Sequence, residues 1–237
     1  MIAIEMPDPP TQDLVLTPKA DDFRGTATVP EAREPLRHRI SIGGPVHRRI
    51  DADLTDDTEL RRFLEEEAAD WDFYLLHLTC TLQPAAEEPF TEALIELDLA
   101  HADGTGAPIA WSMHPDRIVD TVEVSRTVSL GPTLKILGVG VNLTSQQQRK
   151  ATRREIFVEA MYELESTPSW GLYRTSSSEL RGLFRFHLVV RAPKRSIVSG
   201  TTSVQAKVQR RRFGVIPYDA DVGDAPLPLN FKLGSPV

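Results

Sequence analysis

Apolar and polar side chains alternate with a period of two along most of this chain, the pattern of strands with one face in a core and one face wet. The clearest case is the pair of runs 180–191 and 196–209. In the first, Leu180, Gly182, Phe184, Phe186, Leu188 and Val190 share a phase, and Arg181, Arg185, His187 and Arg191 share the other with Leu183 and Val189. In the second, Val198, Val204, Ala206 and Val208 alternate with Ser199, Thr201, Ser203, Gln205 and Lys207. The link Ala192-Pro193-Lys194-Arg195 is short and proline suits a turn, so the two runs read as an antiparallel hairpin.

The same period recurs at 71–82, 91–100, 108–113, 118–130 and 134–143. In 71–82, Tyr74, Leu76, Leu78, Cys80 and Leu82 face Phe73, Leu75, His77, Thr79 and Thr81, and the second set is half apolar. A strand of that kind is covered on both sides. Gly131-Pro132 separates 118–130 from 134–143, where Gly138 and Gly140 leave one phase bare. Gly43-Gly44-Pro45 predicts a turn joining 37–42 to 46–54 as a hairpin. The run 155–165 suits a helix by composition and a strand by alternation; its neighbours are strands, which decides for strand. A helix near 57–68 follows from an Asp or Thr cap, acid in the first turn, and Leu60, Phe63 and Leu64 at helical spacing.

These elements predict a mainly β chain: an antiparallel β-sandwich of about eight to ten strands with one short helix and irregular Pro-rich termini. Residues 1–36, with Pro7, Pro9, Pro10, Pro18, Pro30 and Pro35, read as an extended arm holding at most an edge strand at Leu14-Val15-Leu16. The sandwich domain spans 37–218, with a possible division into two stacked β units near 115. Residues 219–237 form an irregular tail.

Composition sharpens the functional expectations. The net charge of −7 divides unevenly, −15 over residues 1–120 and +8 over 121–237. That polarity suits contact between subunits or with a protein partner, and the acidic half opposes general binding to nucleic acid. No run reaches the ~18 apolar residues of a membrane helix. The single Cys80 excludes an internal disulfide and fits a reducing compartment, and the start of the chain has no secretory pattern. Arginine outnumbers lysine 21 to 6. A bacterial cytoplasmic setting follows as the expectation.

Candidate chemistry is sparse. The carboxylates at Asp51, Asp53, Asp56, Asp57 and Glu59 put Asp56 and Arg62 where a calcium loop needs Gly and Glu, so helix capping accounts for them. Asp219, Asp221 and Asp224 fail the same comparison. The histidines His38, His47, His77, His101, His114 and His187 show no metal spacing, and no phosphate-loop, dinucleotide or serine-elbow motif occurs. The expectation is no catalytic residue, no metal and no cofactor. The interaction surface is assigned to basic positions on the wet phase and ends of the 180–209 pair: Arg181, Arg185, Arg191, Lys194, Arg195, Arg210, Arg211 and Arg212.

The expected function is therefore a non-enzymatic protein-interaction or assembly module that binds a protein partner or itself. The alternative is a membrane-acting, pore-forming β effector, because 118–130, 134–143, 180–191 and 196–209 all reach the ~9–11 alternating residues of a membrane strand. Arg126 and Arg185 interrupt that alternation. A second alternative is an enzyme whose site is assembled from scattered His, Asp and Glu.

Overall fold

The computed structural model describes residues 6–18, 36–54, 57–101, 106–128, 135–136, 139–140, 147–212, 216–224 and 229–233. The strands are β1 (Thr11–Pro18), β2 (Leu36–Ile50), β3 (Trp71–Leu82), β4 (Phe90–His101), β5 (Ile109–His114), β6 (Arg117–Val128), β7 (Lys135–Ile136), β8 (Val139–Gly140), β9 (Gln147–Met161), β10 (Ser169–Tyr173), β11 (Gly182–Pro193), β12 (Val198–Arg212), β13 (Ile216–Asp224) and β14 (Leu229–Leu233). All pair antiparallel, along one path: β5-β11-β3-β2-β1-β13-β12-β4-β10-β9-β6, with β14 added against β12. β7 and β8 form a separate pair. The expected mainly β, antiparallel sandwich with one helix is what the chain adopts.

The path closes on itself because its apolar phases must find one another. Phe186, Leu188 and Val190 of β11 are fully buried, as are Trp170 and Leu172 of β10. The Trp170 and Phe186 ring centroids lie 4.9 Å apart, and Phe157 of β9 meets Phe184 of β11 at 5.9 Å. These contacts join the β11 end of the path to the β10 end. Cys80 lies wholly within this core, and burial pushes its thiol up to about 12; it behaves as a small hydrophobe.

The helix α1 (Thr58–Glu67) begins where expected. Asp57 caps it by accepting from the backbone N–H groups of Glu59 and Leu60, both at 3.1 Å. Its Phe63 packs on Phe73 of β3 and Trp111 of β5. That packing, with residues 6–10 further along, covers the second face of β3, where Phe73, His77 and Thr79 are buried.

Several expectations are corrected. β11 and β12 do not pair with each other: β3 and β5 occupy the two edges of β11, while β12 pairs with β4, β13 and β14. Their link crosses from near one end of the path to its middle. It is set by Arg195 in the left-handed region (φ 60°) and by the Arg195 N–H donating to Asp72 Oδ2 at 2.9 Å. Ladders to strands distant in sequence, β3 along all of β11 and β4 along most of β12, outweigh the local turn. Gly43-Gly44-Pro45 makes no hairpin either. β2 runs through it with a register shift between Gly43 and Val46, an irregularity within one strand. The close approach here requires glycine, since a Cβ on Gly43 would meet Thr79 Oγ1 at 2.5 Å and the Pro9 carbonyl at 3.0 Å.

The termini are more regular than their prolines suggested. β1 is paired on both sides, to β2 and β13, and the tail carries β13 and β14. Pro217 stands opposite Arg211 of β12 near the start of β13, and β1 meets β13 only at 222–224. β9 starts at Gln147, ahead of the expected 155–165 strand, and β10 is a strand that the alternation did not predict. The expected single strand over 134–143 is corrected too: β7 and β8 within it pair antiparallel with each other, Lys135 opposite Gly140 and Ile136 opposite Val139, and the rest of that run lies outside the described residues.

Trp170 tests the closure of the path. It is fully buried and its Nε1 donates to the Pro115 carbonyl at 3.1 Å. Trp170→Ala is expected to cost about 3–5 kcal/mol, read as a lowered denaturant midpoint in equilibrium unfolding.

Candidate functional site

One end of the sheet path is the strand β6. It pairs with β9 from Arg117 opposite Glu159 to Val128 opposite Gln147, and no strand pairs with its other edge among the described residues. An unpaired edge is normally blunted by charge, twist or a cover. Here the root is fastened first: Arg117 forms an ion pair with Glu159, and the Ala160 N–H donates to the Asp116 carbonyl at 2.7 Å.

Farther along, the register is electrostatically awkward. Asp120 stands directly opposite Glu155. Like charges in directly opposed positions destabilise a ladder. At the acidic pair the loop between β10 and β11 supplies the compensation. Thr175 Oγ1 and Ser177 Oγ each donate to Asp120 Oδ2 at 2.6 Å. The Ser176 N–H and Oγ donate to Glu155 Oε2 at 2.7 and 2.9 Å. The loop is itself closed, with the Thr175 N–H donating to the Ser178 carbonyl at 3.0 Å and the Ser178 N–H to Thr175 Oγ1 at 2.9 Å.

The hydroxyl donors hold Asp120 at about 2, with Ser177 the largest cause and Thr175 next. The Ser176 N–H and hydroxyl likewise hold Glu155 below the usual carboxylate range. Two carboxylates and one hydroxyl-rich loop therefore form a clasp across both strands of the edge hairpin. Charge-assisted hydrogen bonds of this kind are the stronger class.

The basic positions singled out in the sequence are scattered by the fold. Arg185 donates through Nε and an amino nitrogen to both Asp8 oxygens, at 3.1 and 3.0 Å. The Arg191 guanidinium lies between Trp71 and Trp111, 4.4 and 4.5 Å from their ring centroids. Lys194 Nζ is 3.1 Å from Asp72 Oδ1, which also accepts from Arg49 at 3.0 Å, and Arg195 meets the same carboxylate through its backbone. Arg181 is exposed and 3.8 Å from Glu179. Arg210, Arg211 and Arg212 continue β12 opposite Tyr218, Pro217 and Ile216. Asp72 thus gathers Arg49, Lys194 and Arg195, while Arg181, Arg185 and Arg191 each have a different environment.

Sequence reasoning missed the clasp. Ser176-Ser177-Ser178 looked like an ordinary polar loop, and only the register shows that Asp120 and Glu155 share one position on the sheet. No group of three or more His, Cys, Asp or Glu is placed to hold a metal ion among the described residues. A groove of about 460 Å³ beside β4, β12 and β14 is lined by Asp98, Ser199, Thr201, Asn230, Phe231 and Lys232.

The clasp has a defined pH range. A carboxylate whose folded value is depressed stabilises the structure above its ordinary value, and that contribution is lost as pH falls through the folded value. Asp120 therefore holds the hairpin at neutral pH and lets go only as pH drops from about 4 toward about 2. Asp120→Ala is expected to raise protease cleavage within 117–128 several-fold at pH 7, with the core transition little changed. Equal cleavage of variant and wild type would show that the clasp does not restrain the edge.

No protein-family model matches the chain, and no curated protein matches it. Among solved structures it is similar to the Clostridium perfringens NetB toxin in the membrane inserted form, at 10% identity and TM-score 0.31, covering 94% of each chain. A pore forming protein is similar at 9% identity and TM-score 0.29, over 69% of this chain and 79% of that one. Clostridium perfringens delta-toxin is similar at 8% identity and TM-score 0.29, over 81% of this chain and 88% of the toxin. With TM-scores this low the neighbours supply no argument for function, which has to come from this chain's own residues.

Proposed function

We propose that this chain is a non-enzymatic β protein that acts on membranes, its segment 121–143 leaving the sheet edge to span a bilayer as an amphipathic hairpin. One observation carries the reading: the β6–β9 register sets Asp120 against Glu155, while the sequence beyond β6 offers β6 a second amphipathic run as partner. Val122, Val124, Val128 and Leu130 share one phase of the first run, and Leu137, Val139, Val141 and Leu143 share one phase of the second. Folding the segment at 131–134 sets Val128 opposite Leu137, Val124 opposite Val141 and Val122 opposite Leu143. The two apolar phases then fall on one face of the hairpin, and Thr121, Glu123, Ser125, Thr127, Gly138, Gly140 and Asn142 occupy the other with Ile136.

Each run is long enough for the hydrocarbon core, which takes ~9–11 residues of tilted strand. A single hairpin has two open edges, and unpaired backbone groups are not tolerated in lipid. Several copies must therefore pair edge to edge, so membrane action on this reading requires self-association. Arg126, opposite Val139, and Lys135, opposite Leu130 near the turn, interrupt the apolar phase, and Arg126 tempers insertion.

Leakage of a trapped dye from phospholipid vesicles tests the reading. Val124→Arg places a charge on the lipid-facing phase at a cost of roughly 2–4 kcal/mol near mid-bilayer, and is expected to abolish leakage. Ser125→Arg, one residue away on the other phase, is expected to keep it, and Arg126→Leu to increase it. A cysteine pair at Ser125 and Lys150, which are register partners, should block leakage when oxidised and restore it on reduction. Undiminished leakage from the oxidised pair would sink the hairpin mechanism. A wild type that leaks no vesicle would return the chain to an interaction module, to be pursued through its solution mass at low and high salt.

A further inference from the structure

Three histidines stand in one row at the other end of the sheet path. His77 of β3 and His114 of β5 are both register partners of His187 on β11, one on each side. The His77 and His187 rings are stacked, with centroids 4.6 Å apart and planes 26° apart, and His114 lies 6.3 Å from His187. His77 is only 2% exposed, His187 is partly buried and His114 is exposed. Arg185 lies two residues before His187 on β11 and so on the same face.

One carboxylate meets this row. Asp8, on the segment that precedes β1, accepts two hydrogen bonds from Arg185 and lies 3.5 Å from His77 Nε2. The segment is seated by Pro9, which is buried against Gly43 and Gly44. Residues 6–10 thus form a strap across the row. Among the described residues, the titratable or charged groups around His187 are His77 from β3, His114 from β5 and Arg185 from β11 itself, with Asp8 of the strap on His77 and Arg185.

Neutral imidazoles stack without penalty, whereas protonating the second of two rings this close sets like charges together beside Arg185. Burial first, then the charges of His77, His114 and Arg185, holds His187 below the ordinary histidine value. For a histidine held low in the folded state, protons favour the open state, so the stacked arrangement loses stability as pH falls below about 6.5. Asp8 behaves oppositely: Arg185 holds its carboxyl below the usual range, so the strap keeps its charge throughout this window. The row is also joined to the edge hairpin by a very short connection. His114 ends β5, only Pro115 and Asp116 intervene, and Arg117 opens β6.

We propose that this histidine row is an acid-operated latch: protonation drives β5 from β11 and loosens the root of the β6–β9 hairpin, with the Asp8 strap setting the pH at which the row opens. Opening of the row stands on its own geometry. Release of the hairpin rests on the membrane reading above.

Hydrogen exchange of the full chain in solution, corrected for the intrinsic pH dependence of exchange, tests the latch without a membrane. Amides of β5 and of β11 around His187 are expected to exchange several-fold faster at pH 5.5 than at pH 7.5. His187→Gln should remove that difference, and Asp8→Asn should move the opening to higher pH. His114→Gln, at an exposed ring, should reduce the difference and serves if His187→Gln does not fold. No acid acceleration in the wild type, or an unchanged one in both histidine variants, overturns the latch. Vesicle leakage over the same pH range separates the two ideas. Acid-accelerated exchange with no leakage at any pH leaves the latch standing and removes the membrane reading. Leakage with one pH profile in wild type and both variants overturns the latch as its trigger.

Discussion

Everything in this fold depends on one sheet closing against itself. Trp170 and Phe186 belong to strands far apart along the sheet path, yet their rings meet at 4.9 Å. Removing that apolar surface from water is the non-directional drive that brings the two ends together. Closure consumes the apolar phase of nearly every long strand, so the chemistry left over lies on outer faces, links and edges. Arg191 between two tryptophans, Asp72 among three basic neighbours and Asp8 on Arg185 are all solutions for that outer layer.

The two ends of the path handle charge differently. At the β6 end, two acids are forced together by register and quieted by hydroxyl donors from one loop. At the β5 end, three imidazoles are forced together by register and balanced by one carboxylate from the strap. Neither arrangement is a large source of stability. Both are local conflicts held in check by a separate segment, and conflicts of that kind mark where a chain has been selected for something besides packing. Two proline residues from the supposedly loose arm illustrate the point: Pro9 is buried on Gly43 and Gly44, and its neighbour Pro10 leads straight into β1.

Much of this architecture was legible in the alternation. The run at 71–82 became β3 with its limits unchanged, half-apolar second face included, because burial on both sides leaves a direct mark on composition. The helix cap at Asp57 was legible because capping is local. Pairing was not. The Ala192 to Arg195 link suggested a hairpin, but β11 found its partners in β3 and β5, and nothing near the link encodes that choice. The candidate sites failed to show for the same reason. Asp120 and Glu155 are 35 residues apart and become one site only through register, as do His77, His114 and His187. Spacing rules read positions along a chain, whereas a sheet writes its sites across strands.

Cys80 has a practical consequence for following any of these motions. Its thiol is sealed in the core and pushed up to about 12, so at neutral pH almost none is thiolate and no reagent reaches it while the fold is intact. Since thiolate is the reactive form, the native chain is chemically silent toward thiol-directed probes. A single cysteine introduced on the strap, the loop or the edge hairpin would carry a fluorophore or spin label alone, giving one-site reporting from the otherwise unaltered protein.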